Sequence, residues 1–178
     1  KSSTTQIKYG NSSMYFDGND WITFGTYNMP GLNFGTGDFT VECWVNRQAT
    51  SGDNYIITAL GGGGFGFGFV NSTNLGWVRQ GVAWDYMAPL SGTILDINTW
   101  HHVAVTRSGT SMRVFVDGTQ VGTTQTNSTA YDLSLSNTVI GSLQGSFGFN
   151  GYMQDLRVTK GLARYTTTFT PPAALLEG

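Results

Sequence analysis

The sequence predicts an all-β fold, two antiparallel sheets packed face to face, with at most one short helical turn. Three observations lead there. Apolar residues alternate with a period of two in one segment after another, and no window sustains a helical period. Gly, Asn, Asp and Ser break these segments at short intervals, as turns between strands require. Charged residues make up only 11% of the chain, while glycine reaches 25 residues and aromatics 13%. Low charge with many aromatics is the opposite of a disordered composition. At 178 residues the chain suits one domain over positions 1–178, here taken as a piece of a longer protein.

In chain order, SSMYF (12–16) and DWITF (20–24) are short strand candidates flanked by turn residues. Phe39, Val41, Cys43 and Val45 share one face of the next strand, with Thr40, Glu42, Trp44 and Asn46 on the other. NYIITAL (54–60) comes next. It leads into GGGGFGFGF (61–69), which contains a literal G-x-G-x-x-G at Gly61, Gly63 and Gly66. A nucleotide-binding loop of that form must follow a strand and open a helix. Here the chain continues as FGFGFV, with period two, so Phe65, Phe67 and Phe69 face the core and Gly66 and Gly68 leave the other face bare. It is a strand, not a phosphate loop. LGWVRQG (75–81) and HHVAVTRSG (101–109) alternate next, and in MRVFVDGTQVG (112–122) Asp117-Gly118 marks a tight hairpin. NTVIG (137–141) and YMQDLRV (152–158) complete the strands, and KGLARY (160–165) is the candidate helical turn.

Composition also excludes partners. Net charge is −2 and the nine Lys and Arg are scattered, so no basic stripe for nucleic acid exists. No apolar run is long enough to insert in a membrane, and KSSTTQIKYG lacks the apolar core of a signal peptide. The single cysteine, Cys43, forms no internal disulfide and is in phase with core residues.

Three ordered segments carry a resemblance. They are SMYFDGNDWITF with DFTVECWVNRQ, then TWHHVAVTRSGTSMRVFVDGTQVGT, then TVIGSLQGSFGFNGYMQDLRVTKGLARYTTTFTPP. Together they resemble the laminin-G-like branch of the concanavalin A-like jelly rolls, over nearly the whole chain. The closing segment is similar to copies in bacteriophage virion proteins. The resemblance implies a jelly-roll sandwich, a virion-surface or extracellular setting, and a structural calcium ion (Ca2+) on the convex side. For that ion it implies Asp155, with Asp17 of the F-D-G as the second candidate. Alternation alone shows Met153 out of phase with Leu156 and Val158, so a bulge is expected at Gln154-Asp155. Asp155 could equally cap that bulge or pair with an arginine.

The fold also hosts glycosidases, which need two carboxyl groups about 5–9.5 Å apart. The chain has two glutamates, Glu42 and Glu177, and TVECWVN offers no second acid at i+2 or i+4. Glu42 therefore reads as a lone acid beside Trp44. His101 and His102 point to opposite faces of a strand and cannot easily share an ion; W-H-H-V reads as structural. The sequons at Asn11, Asn71 and Asn127 are no more than a Ser/Thr-rich chain produces by chance.

Binding remains. Residues 75–90 concentrate Trp77, Arg79, Trp84, Asp85 and Tyr86, and sugars bind where aromatic faces meet well-placed polar groups. Trp84-Asp85-Tyr86 is expected on a loop between strands, with Tyr55 as a further contact, whereas Trp77 fits the core as well as it fits a site. The expected function is non-catalytic recognition of a cell-surface glycan or polysaccharide. The alternative is a decoration domain that contacts other virion proteins.

Overall fold

In the computed structural model the chain is described over residues 1–24, 29–49, 52–59, 61, 63–70, 73–79, 84–89, 95–135, 137–143 and 145–175. The strands are β1 (Ser2–Ser3), β2 (Ser13–Asp17), β3 (Ile22–Thr23), β4 (Asn33–Gly35), β5 (Phe39–Arg47), β6 (Asn54–Thr58), β7 (Phe65–Val70) and β8 (Asn74–Arg79). They continue with β9 (Trp84–Pro89), β10 (Trp100–Ser108), β11 (Ser111–Val116), β12 (Thr119–Thr126), β13 (Tyr131–Asp132), β14 (Val139–Ile140) and β15 (Asn150–Lys160). One sheet runs β1-β2-β15-β5-β10-β11-β12 and the other β3-β14-β6-β7-β8-β9, with β13-β4 as a separate pair. Every pairing between these strands is antiparallel. The all-β jelly-roll sandwich is as expected. Among the described residues no helix is long and apolar enough to cross a membrane.

Alternation decides what fills the space between the sheets. Phe39, Val41, Cys43 and Val45 meet Phe65, Phe67, Phe69, Leu75 and Trp77 in one core, joined by Val103, Val105, Met112 and Val114. Rings of Phe34, Phe39, Phe65 and Tyr131 interlock at its centre, Phe34 on Phe39 stacked at 4.3 Å and the rest edge to face. The glycines of β7 do what a bare face permits. A Cβ on Gly68 would stand 2.5 Å from the Asn54 carbonyl oxygen, and one on Gly66 2.7 Å from a Val78 methyl. Neighbouring groups occupy the room that side chains would have taken.

Two turns follow the sequence closely. Val116 pairs with Thr119 across Asp117 and Gly118, which both take positive φ, the paired left-handed conformations of a two-residue hairpin. On β15 the register against β5 slips between Gln154 and Arg157, and Asp155 turns to positive φ, so the expected bulge is present.

Two expectations are corrected. KGLARY is irregular, and the only helical turn among the described residues is the 3-10 turn Pro30–Leu32, led by proline. Trp84-Asp85-Tyr86 is not a loop but part of β9. It pairs with β8 with Tyr86 opposite Trp77 and Trp84 opposite Val78, the slip leaving Asp85 as the extra residue. As the edge strand it tolerates Pro89 at its end, which makes its strand character hard to read.

All nine residues of β5 are buried, which one packed face cannot explain. The other face is closed by both ends of the described chain. Lys8 and Tyr9 cover Trp44, with Lys8 Nζ 4.2 Å from the indole centroid. Residues 161–172 run over β5 and β10. Thr40 Oγ1 donates to the Leu162 carbonyl and accepts from the Arg164 N–H, while Thr106 Oγ1 donates to the Tyr165 carbonyl. Tyr9 donates its hydroxyl to the Pro172 carbonyl, so the two covering segments meet.

Candidate functional site

Of the residues expected to bind, β8 and β9 bring three together. Trp77 is fully buried and donates its Nε1–H to the Tyr131 hydroxyl at 2.8 Å. Tyr131 in turn donates to the Asp85 carboxylate. Burial and the adjoining Asp85 carboxylate push the Tyr131 hydroxyl well above the usual range, so it stays a neutral donor. The Tyr86 ring lies 4.8 Å from Trp77, and its hydroxyl accepts the Thr123 N–H, tying the edge of one sheet to the edge of the other. A bulkier residue than glycine at position 122 would collide with that hydroxyl.

This geometry corrects the roles. Trp77 offers no exposed face, because its alternation phase turns it into the core and its polar N–H is satisfied there. Tyr55 is also buried, on the other face of the sheet opposite Gly68, and burial beside Asp53 pushes its hydroxyl up to about 12. Asp85 and Tyr86 are half-buried and reach the surface from a braced strand. Arg79, half-buried at the end of β8, holds a buried Nε with no hydrogen-bond partner among the described residues. The side chain of Trp84 lies outside the described residues.

Asp17 and Asp155 do not converge. Asp17 pairs with Asn150 on β15, five residues before Asp155, which is roughly 16 Å along a strand. Two ligands of one calcium ion stand no more than about 5 Å apart. Asp17 instead accepts the Asn19 N–H in a local turn and faces the Lys1 ammonium. Among the described residues no group of three or more His, Cys, Asp and Glu is placed to hold a metal. Asp155 lines a groove together with the polar Asn11, Ser12, Ser13 and Gln154 and the apolar Met14, Met153 and Leu175.

Sequence reasoning missed the principal polar cluster. Glu42 is wholly buried on the outer face of β5, where one oxygen accepts from Arg157 and the other meets His102 Nε2 at 3.1 Å and the Tyr165 hydroxyl at 2.7 Å. Burial alone would raise its carboxyl, but the hydrogen bonds from His102, Tyr165 and Arg157 and the Arg157 charge hold it below its usual value. It is not a lone acid; its partners are donors, none a second carboxylate. His101 pairs with Asp117 at 2.7 Å, so the two histidines serve different acids, as opposite faces require. Cys43 lies in the core, where burial pushes its thiol far up and leaves it inert. Sequence reasoning also passed over Trp21 and Phe147, the two most exposed aromatic rings among the described side chains. The signal for Phe147 was an aromatic set between glycines, in G-S-F-G.

Solved structures share this fold. Domain 4 of AbnA, an extracellular arabinanase of Geobacillus stearothermophilus in complex with arabinotriose, superposes with TM-score 0.68 at 14% identity, over 91% of this chain and 75% of that one. The CBM40 of the Ruminococcus gnavus IT-sialidase, bound to α2,3-sialyllactose, gives TM-score 0.64 at 10% identity, over 86% and 91%. A Bacteroides ovatus protein classed as carbohydrate-binding gives 0.66 at 22% identity over 85% of this chain, which spans only 44% of that protein. Comparison with curated proteins returned no match. A laminin-G family model, described as the Concanavalin A-like lectin/glucanases superfamily, matches residues 10–163, and the chain belongs to that family.

Proposed function

We propose that this domain is a non-catalytic carbohydrate-recognition module that attaches a virion or an extracellular surface to a cell-surface glycan or polysaccharide. The observation that carries the reading is the Asp85–Tyr86 pair, half-buried on a strand and braced by Trp77 and Tyr131. A carboxylate next to a phenol ring offers acceptors for sugar hydroxyls and an apolar surface for sugar C–H groups. Support also comes from the fold neighbours that hold arabinotriose and sialyllactose. Glu42, on the seven-stranded sheet, argues against hydrolysis there, because its oxygens are committed to Arg157, His102 and Tyr165. Single contacts of this kind are weak, and many copies on one particle would make them useful.

The test is a glycan array probed with the domain in multivalent form, in parallel with a Trp84→Ala, Tyr86→Ala double variant whose folding is checked by melting. Retention that disappears in the folded variant supports the reading. No retention on any glycan with calcium present favours the other role, a structural domain contacting virion proteins.

A structural calcium at Asp155 belongs to the same proposal, with Asn11, Ser12 and Ser13 supplying neutral oxygens. It would stabilise the bulge and take no part in chemistry. A chelator should then lower the melting temperature; identical melts with and without it rule the ion out.

A further inference from the structure

The connection between β14 and β15 carries Phe147 and lies against Trp21, and both rings are exposed. Leu143 and Ser146 exchange two backbone hydrogen bonds, closing a tight turn over which Gly145 faces Trp21. A Cβ on Gly145 would lie 3.2 Å from the Trp21 indole, so the indole rests against the hairpin tip. Even so, 46% of Trp21 remains exposed. Phe147, two residues on, is 53% exposed. Its Cα is within roughly 7 Å of the Gly145 Cα even at full extension.

Phe147 also holds a positive φ, in the left-handed region that bulky residues rarely enter. That conformation costs about 1–2 kcal/mol for a residue with a Cβ. Stability alone would favour glycine or asparagine here. The Phe147 ring leans on the Tyr55 ring, centroids 6.4 Å apart and tilted, yet more than half of it stays in water at that backbone cost. The hairpin that bears it is well fixed. Phe147 accepts the Tyr55 N–H on its carbonyl, Asn54 Nδ2 donates to the Gly148 carbonyl, and Gly148 lies against Gly18 too closely for a side chain. Asp53 and Asn19 lie in the segments that clamp it, and Ser146 is on the hairpin itself.

We propose that Trp21 and Phe147 form a sugar-stacking platform for pyranose or furanose rings of a glycan chain. The proposal rests on the carbohydrate reading above and adds a site to it. Trp21 directly precedes β3, which lies at the opposite edge of the six-stranded sheet from β9. The two sites therefore could engage separate stretches of one long chain. Isolated exposed apolar residues are common, but here one ring on a turn and one resting against it, the first at a backbone cost, offer two apolar faces for sugar units.

The experiment uses the domain with immobilised arabinotriose, α2,3-sialyllactose and a panel of bacterial polysaccharides. Two variants remove one ring each. Trp21→Ala leaves the backbone alone, and Phe147→Asn supplies a residue that tolerates the left-handed conformation, which offsets the lost contact with Tyr55 and keeps the variant folded. On the best-retained glycan each variant is expected to bind about tenfold more weakly or worse, while Trp21→Phe keeps most of the affinity. Parent-like affinity in both Trp21→Ala and Phe147→Asn overturns the platform and leaves the carbohydrate reading standing. A parent domain that retains none of these glycans overturns both.

Discussion

Glu42 carries the largest single electrostatic commitment in the described structure. Its partners lie 60, 115 and 123 residues away in the chain, which is why TVECWVN could not announce them. Glu42→Gln leaves Arg157 without its counter-charge in a buried setting, and a loss of about 3 kcal/mol is expected in urea unfolding at neutral pH. The carboxyl is held below its usual 4.5 in the folded state, so its contribution is complete above about pH 4.5 and is lost as pH falls through the lower folded value. Stability of the parent should therefore fall steeply in that acid range, and Glu42→Gln should flatten the fall. An unchanged acid limb would mean that Glu42 is not the group whose protonation loosens the sheet. Trp77 teaches the complementary lesson. Its alternation phase was legible, but the satisfied N–H that lets an indole sit wholly inside depends on Tyr131, 54 positions on.

Among the elements, the Asp117-Gly118 hairpin was legible because its conformation is set by the two residues themselves. Its second role was not. The Gly118 carbonyl accepts the Phe169 N–H, and a Cβ on Gly118 would overlap the Phe169 carbonyl at 1.8 Å. The hairpin is thus a seat for the covering segment, in which Tyr165 and Phe169 stack beside His102 and Phe115. Gly118→Ala should cost about 2 kcal/mol or more and speed tryptic cleavage after Arg164. Gly109→Ala is the control, since Gly109 also takes a positive φ but has nothing within 4 Å of its added Cβ. Equal cleavage rates in the two variants would show that the seat does not hold the segment. Element β9 was missed for the reverse reason. Its register slip at Asp85 and its closing Pro89 break the alternation by which β5, β7 and β11 were found.

At the scale of the whole molecule, the closure of the seven-stranded sheet redirects the search for ligands. Its central outer face is occupied by Tyr9, Tyr165 and Phe169, and the recognition sites proposed above therefore lie at sheet edges and hairpin tips. Candidate residues at one edge, Asp85 and Tyr86, could be named from composition, because aromatic and acidic residues cluster in residues 75–90. Trp21 and Phe147 could not, because they are far apart in sequence and only the packing of the Gly145 turn against Trp21 brings their segments together. The fold was readable from period and turn chemistry; ligand contacts depend on which rings the final packing leaves uncovered.

The domain is proposed to recognise a sugar without cleaving it. Saturation-transfer NMR of the domain with the best-retained oligosaccharide, followed over a day at neutral pH, tests both halves in one sample. Transfer to the sugar protons with the oligosaccharide intact throughout is the predicted result. Absence of transfer across the whole panel, or the appearance of shorter products at a rate proportional to protein, would contradict it.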